Sequence, residues 1–249
     1  MLLQDKVAVV YGAGGAIGGA AARAFAGEGA RVFLAGRTAA PLDELAEDVR
    51  AAGGAAETAV VDALDEAAVD AFVDEVVARA GRVDVSFNAI GYGDVQQPLM
   101  EISAGDFLQP IATAMRSQFL TTRAAARHMT ARGSGVILAF GGGGPQTLPG
   151  LGGFKIALDA LEGLRRQWAL ELGPHGIRVV TLKSGGVPES IPDGFPGKKA
   201  ISDSLVEATQ LGRTATLGDV GHVAAFVASD LARTLTATDV NISCGAIVD

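Results

Sequence analysis

Seven residues, Gly12-Ala13-Gly14-Gly15-Ala16-Ile17-Gly18, follow a β-branched run and open an Ala-rich amphipathic stretch. Positions without side chains at a strand-to-helix turn let the backbone approach a pyrophosphate, while the helix N-terminus supplies N–H donors and the positive end of a dipole. In a chain with 34 glycines the cluster taken alone also reads as a plain turn. Two other positions fit a dinucleotide. Asp62 falls just past the third strand-like run, where its carboxylate could accept from an adenine amino group; a helix N-cap or turn aspartate is the alternative reading. Gly36-Arg37 follows the second run, where an acid would hold a free ribose 2′-hydroxyl. With no acid there and a guanidinium beside it, a 2′-phosphate is favoured over a free 2′-hydroxyl; a merely solvated surface arginine is the alternative reading.

Such residues need strands and helices in alternation to hold them. Short β-branched runs, Lys6 to Val10, Arg31 to Leu34, Thr58 to Val61, Val83 to Phe87, Val136 to Phe140 and Ile177 to Leu182, alternate with helix-length stretches. This is the order of βαβ units and a parallel sheet. Helices are expected at Ile17 to Glu28, Pro41 to Ala52, Glu66 to Ala80, Ala104 to Ala131, Leu151 to Glu171 and Asp219 to Ser229, with a last strand near Asp239 to Ile242. Gly29, Gly53, Gly81, Gly133 and Gly176 each lie between a helix and the next strand, where a left-handed residue ends a helix. The reading is one doubly wound α/β domain of the Rossmann kind over residues 1–249, with about seven strands and helices on both faces. Gly185 to Lys199 is the one long irregular piece, rich in Pro and Gly; residues 186–210 are assigned to a substrate lid.

Bulk properties exclude several classes. A length of 249 residues buries a substantial core. Hydrophobic residues at 49% are too many for disorder. The net charge of −8, with no Lys/Arg cluster to offset it, argues against nucleic acid and anionic lipid. No apolar run approaches the roughly 20 residues that span a bilayer, and Met1 to Asp5 is no signal peptide. Cys244 is the single cysteine, so neither an internal disulfide nor a zinc site is expected, and a reducing, cytoplasmic setting fits.

From about Asp5 to its end the chain resembles a short-chain dehydrogenase/reductase. The family's first motif, Thr-Gly-x-x-x-Gly-x-Gly, is matched by Tyr11 to Gly18, with Tyr for Thr and Ala for the middle Gly. Asp62-Ala63 is similar to its Asp/Val pair, and Asn88-Ala89-Ile90-Gly91 to its Asn-Asn-Ala-Gly segment. Leu211-Gly212-Arg213, Asp219-Val220 and Phe226 to Asp230 resemble its C-terminal third. The resemblance implies a nicotinamide dinucleotide held by Gly12, Gly14, Gly15, Ala16, Ile17, Gly18, Arg37, Asp62, Ala63, Asn88, Ala89, Gly91, Lys155, Ser184, Gly185 and Val187, with NADP(H) favoured over NAD(H). It also implies a small-molecule substrate, and a homodimer or homotetramer built on the two long helices.

Carbonyl-reducing members of that family use a tyrosine acid, a lysine four residues later, a serine that holds the substrate oxygen and an asparagine that anchors a water relay. Aligned on Lys155 as the lysine, these positions are Leu151, Gly142 and Ala114, so three of the four groups are missing. The enoyl-reductase variant, with tyrosine seven residues before the lysine, meets Leu148. Neither Leu nor Gly can protonate an alkoxide. Tyr92 is the one phenol expected to face the nicotinamide; it reads as an acid or as a pocket wall. His128, His175 and His222 fall far from that position by the same resemblance. Ser184, Glu189 and Ser190 reach toward it from the lid, and Gly141 to Gly144 offer N–H groups as an oxyanion hole or simply a flexible turn.

Three readings follow. The leading one is an atypical NADP(H)-dependent oxidoreductase that delivers hydride to an activated C=C, C=N or C=O bond, with Lys155 on the ribose and Tyr92 or water as proton source. The others are a non-redox enzyme or cyclase built on the cofactor scaffold, and a cofactor-binding protein without turnover.

Overall fold

The structure is a computed structural model that describes residues 1–145 and 147–248. Seven strands form one sheet in the order β3-β2-β1-β4-β5-β6-β7, every pair parallel. They are β1 (Val7–Tyr11), β2 (Arg31–Gly36), β3 (Ala55–Val60), β4 (Val85–Asn88), β5 (Gly135–Phe140), β6 (Ile177–Lys183) and β7 (Thr238–Asn241). The helices are α1 (Ala16–Gly27), α2 (Ala39–Ala51), α3 (Glu66–Ala80), α4 (Ala104–Arg132), α5 (Phe154–Leu172), α6 (Lys198–Glu207) and α7 (Leu217–Ala228). The chain adds strands to one side as far as β3, then crosses back to put β4 beside β1. A ligand crevice forms at such a reversal, beyond the carboxyl ends of β1 and β4.

β1 is buried along its whole length, which is why Val7 to Tyr11 is apolar throughout rather than alternating. Ala8 and Val10 pack with Ala21, Phe25, Leu42, Leu45 and Ala224 from α1, α2 and α7. Val7, Val9 and Tyr11 pack with Val69, Phe72, Leu120, Ala125 and Ala169 from α3, α4 and α5. The five glycines expected to end helices all have φ between +69° and +93°, and Gly81 and Gly133 are the left-handed caps of α3 and α4.

Several boundaries differ from the sequence reading, among them β3, which starts at Ala55 rather than Thr58, and α2, which starts at Ala39 rather than Pro41. α5 starts at Phe154 rather than near Leu151, because Gly150 and Gly152 take φ of +83° and +54° and break the helix before it can begin. α7 starts at Leu217, two residues early, because Thr216 and Asp219 form a reciprocal capping box. The segment read as a lid contains a 3-10 turn at Pro188–Ser190 and the unexpected helix α6.

Candidate active site

A groove of about 530 Å³ runs along the crevice, lined among others by Gly12, Gly14, Gly15, Arg37, Asp62 and Ala63 at one end and Ala89, Gly91 and Tyr92 at the other. The glycine turn is sterically compulsory. Gly12 has φ +72°, and a Cβ there would lie 2.7 Å from the Ala89 carbonyl oxygen. A Cβ on Gly18 would lie 2.3 Å from the Gly12 oxygen. The turn therefore presses against β4 on one side and the first turn of α1 on the other. Gly15 caps α1 without a side-chain acceptor, so the helix presents its first N–H groups to whatever lies in the groove.

At the far end Arg37 is exposed, lines the groove and makes no hydrogen bond or ion pair with the described residues. Asp62 Oδ1 accepts from Leu64 N at 3.0 Å. The helix-cap role considered for Asp62 falls to Asp65, whose carboxylate accepts from Ala67 N and Ala68 N. Asp62 thus belongs to a turn on the groove wall. Asn88 does not line the groove: buried, it donates from Nδ2 to Thr121 Oγ1 at 3.1 Å and accepts from Ile90 N at 3.1 Å, bracing β4 against α4. Ala16, Ile17 and Gly18 form the first turn of α1, next to the lining residues Gly14 and Gly15.

The other half of the crevice is apolar. Tyr92 is buried, its ring 6.2 Å from that of Phe154 and its hydroxyl donating to the Phe140 carbonyl at 3.4 Å. Around it pack Ala114, Ala157 and Leu161, with Ile111, Met115, Phe154 and Leu158 at the margin. Burial pushes the Tyr92 phenol well above its ordinary pKa, so it stays a neutral donor. In the family pattern a lysine lowers the tyrosine; here no cation contributes to Tyr92.

The structure does not bring Lys155 to this groove. Its Nζ donates to Asp159 Oδ1 at 2.6 Å, one turn further along α5. Leu151 precedes the helix, so Leu151 and Lys155 do not share a helical face. The i,i+4 pair on the face that meets Tyr92 is Phe154 and Leu158. Sequence reasoning missed these two. The signal was the apolar spacing Phe154, Leu158, Leu161, counted from the glycines that precede it.

The glycine run offers little. Gly141 gives its N–H to the Leu182 carbonyl at 3.0 Å, so that group is not free for an oxyanion. Gly142 has φ +143°, and a Cβ there would lie 3.1 Å from Glu162 Oε1 and 3.2 Å from Thr181 Cγ2; a serine would not fit without rearrangement. In the lid, Ser184, Gly185 and Val187 do not line the groove. Glu189 Oε2 accepts from Leu217 N at 2.7 Å, and Ser190 Oγ donates to the Val187 carbonyl at 2.7 Å. Both fasten the lid, Glu189 to the start of α7. His128 is held by Asp74 at 2.7 Å on the α3–α4 face, and His222 is an exposed residue of α7. Among the described residues no His/Cys/Asp/Glu group suits a metal, and no helix is long and apolar enough to cross a membrane.

Residues 12–246 match the family described as enoyl-(acyl carrier protein) reductase. The L-rhamnose 1-dehydrogenase (NAD(P)(+)) of Azotobacter vinelandii is 32% identical, covering 100% of this chain and 99% of that protein. The meso-2,3-butanediol dehydrogenase of Serratia marcescens is 30% identical over 99% of this chain and 96% of its own length. Among solved structures, a short-chain dehydrogenase/reductase from Serratia marcescens superposes with a TM-score of 0.89 at 29% identity, covering 99% of both chains. NAD+-bound xylitol dehydrogenase gives 0.90 at 25%, covering 98% of this chain and 100% of that one. With the parallel sheet, the compulsory glycine turn and full-length relatives in agreement, the chain belongs to the short-chain dehydrogenase/reductase family of oxidoreductases.

Proposed function

We propose that this chain binds NADP(H) in the crevice and turns over neither simple ketones nor simple secondary alcohols. The observation that carries this is the apolar cluster around Tyr92, formed by Phe154, Leu158 and Ala114, with Lys155 paired to Asp159 and with Leu151 and Gly142 at the positions that the resemblance gives to the acid and the serine. NADPH, when bound, supplies a hydride. An alkoxide formed by hydride delivery must be protonated by a group within about 3 Å and tuned near the working pH. Missing the acid costs 10²- to 10⁴-fold, and missing an oxygen-holding donor roughly 10²- to 10³-fold.

The residues at the other end fit the nucleotide. Gly12, Gly14, Gly15 and the N–H groups of α1 suit a pyrophosphate, Asp62 suits the adenine amino group, and Ala63, Ala89 and Gly91 suit flat walls. Arg37, exposed and without a protein partner, suits a 2′-phosphate, which a free guanidinium binds through paired N–H donors. The single cysteine and the absence of a spanning helix among the described residues favour a cytoplasmic protein. The exposed Phe119 and Leu170 on α4 and α5 favour a homo-oligomer.

A second reading, hydride delivery to an activated C=C or C=N bond, draws on Tyr92. Its hydroxyl would lie 3.6 Å from a Cβ at Gly141 and bonds only a carbonyl, so a neutral donor stands at that end. Calorimetry with NADPH and NADH tests the proposal: NADPH binds more tightly, and its absorbance stays constant with saturating cyclohexanone. Equal affinities would remove the NADP(H) assignment, and steady ketone-dependent oxidation would remove the rest.

A further inference from the structure

We propose that the seam between α4, α5 and β6 holds one small hydrogen-bond acceptor, a water molecule or a halide ion, in a cavity separate from the nucleotide groove. The inference stands independently of the NADP(H) reading. The cavity measures about 20 Å³ and is lined, among others, by Gln118 and Thr122 from α4, Leu161, Arg165 and Trp168 from α5, and Thr181 from β6. A site of roughly 10–15 Å³ admits one water-sized occupant when two to four polar groups face it. This one has both the room and the groups.

Nine buried side-chain nitrogen and oxygen atoms lack a hydrogen bond among the described residues, and four of them belong to this lining: Gln118 Nε2, Arg165 Nη1, Trp168 Nε1 and Thr181 Oγ1. All four can donate, and such atoms in folded chains are ordinarily paired with protein or ordered solvent. Gln118, Arg165 and Thr181 are each more than nine-tenths buried, so bulk water does not reach them. The orientation of Thr181 agrees. Its methyl carbon lies 3.2 Å from the position of a Cβ on Gly142, which turns the hydroxyl away from the glycine run. Glu162 Oε1, a fifth unpartnered atom, lies 3.1 Å from that same position and is not part of the lining. The cavity thus presents donors rather than acceptors. The charge of Arg165 is already met, since Glu162 Oε2 accepts from its Nε at 3.0 Å and from Nη2, and Asp239 Oδ1 stands 3.9 Å from Nη2. The occupant must accept hydrogen bonds; it need not carry charge.

The test is a crystal structure of the intact chain at a resolution that shows ordered solvent, grown once in sodium bromide and once in a halide-free glutamate buffer. The expected result is density within about 3.5 Å of Arg165 Nη1 and of at least two of the other three atoms. A bromine anomalous peak there identifies a halide; density without such a peak in either crystal identifies water. Trp168 is the single tryptophan, so its emission reads the same site in solution. A halide gives saturable bromide quenching, with affinity lowered about tenfold in Thr181→Val; water leaves only linear, collisional quenching in both proteins. A bare cavity in both crystals, or the four side chains bonded to one another across it, would overturn the inference, and neither result touches the NADP(H) reading.

Discussion

Gly18 and Phe154 each stand in the first turn of a helix that follows a strand of the same sheet, and the two turns have been shaped by different constraints. At Gly18 the backbone itself is the functional part: a single added carbon would sit 2.3 Å from the Gly12 oxygen. At Phe154 the side chain is the functional part: its ring lies tilted against that of Tyr92, 6.2 Å between centroids, and packs the cleft with apolar surface. A phosphate turn made of main-chain geometry cannot change without disturbing β1, α1 and β4 together. A catalytic set made of side chains can be exchanged for packing while the fold persists, because apolar groups of suitable size fill the same volume. The comparison separates the part of the family inherited as shape from the part inherited as chemistry.

The largest effect expected is in the apolar half. Tyr92→Ala empties a site at the centre of the Ala114, Phe154 and Leu158 cluster and should cost about 3–4 kcal/mol by chemical denaturation. Binding of 2′,5′-ADP in the folded fraction should change by less than about threefold, since that substitution lies at the end of the groove. A cost below about 1 kcal/mol would mean that the ring does not fill a core. Gly18→Ala breaks the opposite half: the overpacking should cost about 2–3 kcal/mol and abolish measurable nucleotide binding. Wild-type affinity in that variant would show that the turn does not cradle the phosphates.

Smaller effects sharpen the boundary between the halves. Arg37→Ala should weaken 2′,5′-ADP at least about tenfold, as expected for a charged hydrogen bond worth about 1.5–3 kcal/mol, while leaving 5′-ADP unchanged. An equal loss for both ligands would move Arg37 away from the 2′-phosphate. Lys155→Ala should do least. Its pair with Asp159 is an i,i+4 contact at a half-exposed carboxylate, worth about 0.3–0.5 kcal/mol, and NADPH affinity should stay within about twofold. A tenfold loss would restore the ribose contact expected from sequence.

Legibility in the sequence followed the same division. The sheet, its order of strands and helices, and the glycines that end helices could be read because periodicity and left-handed backbone leave residue-type marks. The groove residues Gly12, Gly14, Gly15, Arg37, Asp62 and Ala63 were readable for the same reason. What escaped were features set by exact helix starts. The run Lys155 to Leu161 matches Lys155 to the family lysine but does not tell where its Nζ goes, and the start of α5 at Phe154, after the breaks at Gly150 and Gly152, is what sets Phe154 and Leu158 against Tyr92. α6 escaped because it directly follows the Pro- and Gly-rich run and was read with it as one irregular lid. Asp62 and Asp65 are both aspartates near one helix start, and only hydrogen-bond geometry tells turn from cap.

The central claim is that a nucleotide-binding half survives beside a half without proton chemistry. It is tested most directly by following NADPH absorbance in the unmodified protein, first shown by calorimetry to be cofactor-saturated, across a panel of plain ketones. The account predicts bound NADPH consumed at the background rate with every ketone. Brisk ketone-dependent consumption would contradict it, because some group would then be protonating the alkoxide within the apolar cluster around Tyr92.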